Sequence, residues 1–147
     1  MELVSPAFAG GEPIPGKYSG YGENLSPPLE WSAPPLGTQS LALVCDDPDA
    51  NGWTHWVIFN LPTETRALAE NADTNLPQSA QHGENSWGRA KYDGPHPPSG
   101  THRYVFTIYA LDTVLNLKAG ASKDQLSKAM QGHILGQADM MGVYTKK

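Results

Sequence analysis

The chain has 147 residues, a formal net charge of −5 and one cysteine, Cys45. That length fits one domain burying roughly two-thirds of its unfolded surface, so no disulfide or structural metal is needed, and a lone cysteine forbids an intramolecular disulfide. The acidic balance argues against a nucleic-acid partner, which needs a basic face, and no apolar run is long enough to span a bilayer.

The N-terminal Met-Glu-Leu-Val-Ser-Pro has neither a basic n-region nor an apolar h-region, so no signal peptide and a cytoplasmic location are expected. Residues 5–37 are punctuated by Ser5-Pro6, Pro13, Pro15-Gly16, Gly20, Gly22, Pro27-Pro28, Pro34-Pro35 and Gly37, which permits only short strands between turns. Residues 40–46 are apolar at both parities and predict a central buried strand. A second strand, 55–61, is rich in β-branched and aromatic residues and stops at Pro62. Residues 63–100 predict long loops with a short helix over 65–71. A third buried strand follows at 103–111. Ser122 and Gln125 form a capping-box pattern, and Leu126, Met130 and Ile134 recur at four-residue steps, predicting a helix over 123–138. Gly132 and Gly136 inside it suggest close packing. Runs of strands with one late helix predict a mostly β fold, an antiparallel two-sheet sandwich with a few peripheral helices, in a single domain over 1–147.

Three segments carry the chemistry. Asp47 follows a buried strand, within Asp46-Asp47-Pro48-Asp49-Ala50, where a rigid strand end meets an open loop. Trp53-Thr54-His55-Trp56 starts the next strand, and alternation puts Trp53 and His55 on one face, Thr54 and Trp56 on the other. The third segment runs Gly94-Pro95-His96-Pro97-Pro98-Ser99-Gly100-Thr101-His102-Arg103-Tyr104. Its first part is stiff. His102 and Tyr104 share a face, and Arg103 points away. Each residue alone is more often structural: an aspartate opening a turn, a satisfied histidine, a core aromatic. Together they predict a small pocket.

Asp-Pro-Asp-Ala, then Trp-x-His, then Gly-Pro-x-Pro-Pro-x-Gly-x-His-Arg-Tyr resembles the phosphatidylethanolamine-binding protein family, which includes Raf kinase inhibitor protein. The shorter bacterial and archaeal branch is the most similar, through Ile14-Pro15, Tyr18, Asn24-x-Ser26-Pro27-Pro28-Leu29-x-Trp31, Gly132-His133-Ile134-Leu135, Ala138 and Gly142-x-Tyr144. The resemblance implies a non-catalytic binder of small anions such as phosphate or phosphorylethanolamine. Its partners would be phospholipid headgroups, a kinase or a protease, with no cofactor. It implies an anion pocket of Asp47, Trp53, His55, His96, Pro97, Pro98, His102 and Tyr104. Asp49 would hold the loop, and Arg103 would brace the site by pairing with a carboxylate. Two positions depart from the family pattern. Asn51 stands where proline is usual, and His96 where many relatives carry a small residue or cysteine.

Two other functions compete. Asp47, His55 and His102 are acid–base groups that a hydrolase could use, but no nucleophile elbow, Cys–His pattern or Walker loop accompanies them. Three histidines and an aspartate could hold Zn²⁺, but their spacing is not a standard ligand pattern. The sequence leaves a homodimer open. If His55 and His102 meet an anion as imidazolium, binding should strengthen as pH falls toward their ordinary pKa of about 6.5.

Overall fold

The computed structural model describes residues 1–146. Its strands are β1 (Leu3–Val4), β2 (Leu29–Trp31), β3 (Ser40–Asp47), β4 (Trp53–Leu61), β5 (Ala67–Leu68), β6 (Gln81–His82), β7 (Gly100–Leu111) and β8 (Ile134–Lys146), with one α-helix, α1 (Lys123–Met130). They form two antiparallel sheets, ordered β1-β2-β5 and β6-β4-β3-β7-β8. Among the described residues no helix is long and apolar enough to cross a membrane.

The residues of β3 explain its central place. It pairs with β4 on one side and β7 on the other, and side chains of both parities are buried. Leu41, Leu43 and Cys45 join the core facing the small sheet, with Leu3, Leu29, Trp31, Leu68, Phe106 and Ile108. Ala42 and Val44 face the other way, packing with Val57, Phe59, Leu126 and Met130 under α1. Alternating apolar side chains thus serve two cores, as a strand buried on both faces requires.

Three expectations change. The helix predicted over 123–138 ends at Met130. Its start is as expected: Ser122 Oγ accepts from Gln125 N at 3.1 Å, and Gln125 Oε1 accepts from Ser122 N at 2.9 Å. Gln131 is already extended at ψ 128°, and Gly132 turns the chain at φ 79°. Gly132 is thus required for its left-handed backbone, not for packing, since a Cβ there would meet nothing within 4 Å. Gly136 does pack closely, against Pro35. Residues 134–146 instead form β8, the edge strand running the length of β7, from Leu111↔Ile134 to Gly100↔Lys146. The short helix expected over 65–71 is replaced by β5, which pairs with β2, and by a 3-10 turn at Ala72–Thr74.

The third change concerns β4. Cys45 pairs with Trp56 but Asp46 with Thr54, so His55 is an extra residue, a β-bulge. Regular alternation would set Trp56 opposite His55. The bulge lets Trp56 join the same core as Cys45 and Tyr104, while Thr54 Oγ1 donates to Asp46 Oδ1 at 3.0 Å beside Lys123 at the start of α1.

Candidate functional site

The cavity lies where β3 ends, β4 begins and β7 begins. It holds about 210 Å³ and is lined by Asp47, Ala50, Trp53, His55, Trp87, His96, Pro97, Pro98, His102 and Tyr104. All eight residues picked out in the sequence therefore line one space. Ala50 and Trp87 were not anticipated.

Asp47 is buried and does two jobs. Its Oδ1 accepts from Asp49 N at 2.8 Å, capping the 3-10 turn Pro48–Ala50. Its Oδ2 accepts from His102 Nδ1 at 2.6 Å. The carboxylate thereby fixes both the loop and the His102 ring, leaving His102 Nε2 as the second ring nitrogen. The turn ends at Asn51, in the left-handed region at φ 56°. Proline, locked near φ −65°, could not stand there, so this side of the rim depends on the asparagine.

His55 is held from behind. Its Nδ1 donates to the Asp93 carbonyl at 2.6 Å. Burial pushes its pKa below the ordinary imidazole value, outweighing the Asp93 carbonyl and the nearby Asp47 charge, which act upward. The ring is therefore neutral at pH 7, and its Nε2 is an acceptor. The expectation that both histidines donate as imidazolium therefore fails for His55.

Tyr104 lies beside both histidines, its ring 5.1 Å from that of His55, edge to face, and 6.5 Å from that of His102. The two histidines thus share one cavity. The Tyr104 hydroxyl is buried without a hydrogen-bond partner among the described residues. Burial, with Asp47 adding to it both by its charge and as the nearest acceptor, raises its pKa far above the phenol range, so it stays a neutral donor; no acceptor among the described residues lies within hydrogen-bond geometry of it.

The rim is aromatic and stiff. Trp53 and Trp87 meet edge to face at 5.5 Å, and Trp87 meets His55 at 5.0 Å. Trp87 escaped the sequence analysis because it sits alone in a polar loop. The loop is drawn in by a tertiary bond, Thr54 N to Ser86 Oγ at 2.8 Å. Across the mouth, Tyr21 stacks on His96 at 4.0 Å and donates to the Pro97 carbonyl at 2.5 Å. Arg103, pointing outward, grips Asp49 through Nε and Nη2 at 3.1 and 2.9 Å, and its backbone N–H donates to the same carboxylate at 2.8 Å. The hydrogen bonds from Arg103 hold the Asp49 carboxyl down at about 2.

No Ser, Thr, Cys, Lys or Arg lines the cavity among the described residues. Nor do any three His, Cys, Asp or Glu side chains there gather in a metal-binding group. The arrangement offers a buried hydroxyl donor, imidazole nitrogens and an aromatic, proline-walled mouth.

The match to known proteins covers nearly all of the sequence. The family model for phosphatidylethanolamine-binding protein matches residues 4–145. A UPF0098 protein of Methanothermobacter thermautotrophicus is 50% identical over 99% of both chains, and one of Chlamydia pneumoniae is 46% identical over 99% of both. The crystal structure of a phosphatidylethanolamine-binding protein homologue from Chlamydia trachomatis superimposes with a TM-score of 0.91 at 42% identity, covering 99% of this chain and 97% of that one. Escherichia coli YbcL, described as a member of the mammalian PEBP family, gives 0.93 at 30% identity, covering 99% and 98%. With the fold, the motifs and the family model in agreement along the chain, this protein belongs to the phosphatidylethanolamine-binding protein family.

Proposed function

We propose that the cavity binds the phosphate group of a small ligand, such as phosphate or phosphorylethanolamine, without catalysing its turnover. The observation that carries this reading is the Tyr104 hydroxyl, buried in the cavity lining with no hydrogen-bond partner among the described residues. Leaving such a donor unsatisfied costs about 1–3 kcal/mol, and an anionic oxygen placed there would recover it through a charge-assisted bond. His102, oriented by Asp47, supplies a second donor when protonated. A volume of about 210 Å³ suits a group of phosphate size. Among the described residues the lining holds no Ser, Thr, Cys or Lys to act as a nucleophile, and the Tyr104 phenol is held neutral. A phospholipid headgroup and a phosphorylated side chain of a kinase or protease partner would present the same group.

Calorimetric titration with inorganic phosphate tests the reading. The parent protein should bind, and Tyr104→Phe should bind roughly tenfold or more weakly, since a hydrogen bond to a charged group is worth about 1.5–3 kcal/mol. Asp47→Asn should also weaken binding at low pH if the carboxylate's role is to orient and protonate His102. Tighter binding by Asp47→Asn at every pH would mean that the carboxylate only repels the ligand. No heat with phosphate at any pH, or equal affinity in Tyr104→Phe, would remove the proposal.

A further inference from the structure

The floor of the cavity, formed by Asp47, His55, His102 and Tyr104, is richer in acceptors than a site for a bare anion should be. His55 has its Nδ1 proton committed to the Asp93 carbonyl, and its Nε2 has no hydrogen-bond partner among the described residues. His102 has its Nδ1 proton committed to Asp47, so in its neutral form it too presents a lone pair. Asp47 brings a full negative charge. Against these, Tyr104 is the one buried side-chain donor without a partner among the described residues; the other N–H groups of the lining, on Trp53, Trp87 and His96, belong to the rim.

Nor does a Lys or Arg side chain line the cavity among the described residues. The titratable groups that face the space are Asp47 from β3, His55 from β4, His96 from the proline-rich loop, and His102 and Tyr104 from β7. Tyr21 stands behind His96 and Asp93 behind His55. Arg103 is occupied by Asp49, Arg89 and Lys91 by Asp93, and Lys146 sits over the Tyr21 ring at 4.5 Å. An oxyanion with no hydrogen would turn its lone pairs toward those of the His55 and His102 rings and toward the like charge of Asp47.

We infer that the cavity selects oxyanions that carry a proton, such as the monoanion of a phosphate monoester, over oxyanions of equal charge that carry none. The inference rests on the reading of the cavity as a phosphate site. The ligand hydroxyl donates to an imidazole Nε2, and its ionised oxygen accepts from Tyr104. A fully ionised ligand can make the second contact but not the first, and it leaves a buried acceptor unpaired.

Methyl phosphate and methyl sulfate separate the cases, because their monoanions are alike in size and charge and differ in one hydroxyl. A phosphate monoester loses its second proton near pH 6, so about half is monoanion at pH 6 and about one per cent at pH 8, whereas methyl sulfate does not titrate there. Calorimetry or amide-shift titration of the full chain should find methyl phosphate bound at least about tenfold tighter than methyl sulfate at pH 6, and weakened at least about tenfold at pH 8. Equal affinity for the two ligands at pH 6 overturns the inference and leaves the phosphate site standing. So does an affinity for methyl phosphate that is constant or rises toward pH 8. A parallel strengthening of both ligands at pH 6 overturns it in favour of an imidazolium donor. Binding of neither ligand, nor of inorganic phosphate, removes the site itself.

Discussion

His55 stands between two polar clusters built from similar residues. Behind it, the buried Asp93 carboxylate receives Asn24 Nδ2 at 3.1 Å, Asn85 Nδ2 at 2.8 Å, Arg89 Nη1 at 3.1 Å and Lys91 Nζ at 3.2 Å, while its carbonyl takes the His55 proton. In front of it, Asp47 and His102 are paired, but the Tyr104 hydroxyl has no hydrogen-bond partner among the described residues. The first cluster is closed: it pins the 83–96 loop to the sheet and fixes the His55 tautomer. The second is open. Burial alone does not tell a structural polar cluster from a binding site, but the satisfaction of its hydrogen bonds does.

Removing the centre of each cluster tests this difference, and the largest effect is expected at Asp93. Asp93→Ala removes the acceptor shared by Asn24, Asn85, Arg89 and Lys91, leaves the buried Asn85 amide with the Lys91 carbonyl alone, and loosens the loop; it should cost about 2–4 kcal/mol in urea unfolding. Tyr104→Phe, an equally buried position, should stay within about 1 kcal/mol of the parent or exceed it, because no intramolecular bond is lost. Comparable losses in the two variants would erase the distinction.

Acid should attack the closed cluster in two stages. The folded-state pKa of His55 lies below its ordinary value, so its contribution is complete above the unfolded pKa of about 6.5 and is lost as pH falls through the folded value. Burial would raise the Asp93 carboxyl, but the hydrogen bonds from Asn24, Asn85 and Lys91 outweigh it and hold the group low. Its contribution is therefore present above the unfolded pKa of about 3.9 and is lost below that. Urea midpoints should be flat above about pH 7, then fall in the His55 range and again in the Asp93 range. A midpoint that rises between pH 7 and 5 would contradict the buried neutral imidazole.

A subtler change sharpens the comparison from the open side. A Cβ at Gly20 would lie 2.9 Å from His96 Cδ2. Gly20→Ala should swing that ring away from Tyr21, weaken phosphate binding a few-fold and leave the unfolding midpoint nearly unchanged; ring chemical shifts of His96 report the movement. The smallest effect belongs to the rim. Asp49→Ala breaks an exposed pair with Arg103, and exposed pairs contribute little to stability, so its urea midpoint should match the parent.

The residues alone determined more of the site than of its surroundings. Continuous apolar runs marked β3 and β4, because strands buried on both faces have no polar side to hide; β7, expected to be as buried, alternates instead, burying Tyr104, Phe106 and Ile108 while Arg103 is exposed and Val105, Thr107 and Tyr109 are half-buried. Placement at a strand end or in a stiff loop marked Asp47, His55, His102, Tyr104 and the Pro97-Pro98 wall, and the family resemblance completed the set with Trp53 and His96. The capping box likewise fixed where α1 begins, since its two hydrogen bonds are local.

What tertiary structure decided was everything that depended on a distant partner. Ile134 continues a helical spacing, yet it lies in β8, partly exposed, because Gly132 turns the chain and β7 offers an unpaired edge that β8 satisfies along its length. The bulge at His55 exists only in the register between β3 and β4, so alternation misplaced Trp56. Trp87 reaches the cavity through a hydrogen bond between Ser86 and Thr54, 32 positions apart. The state of His55 was decided the same way. Sequence supplies an imidazole able to donate or accept, and the Asp93 carbonyl, 38 residues away, makes it an acceptor toward the cavity.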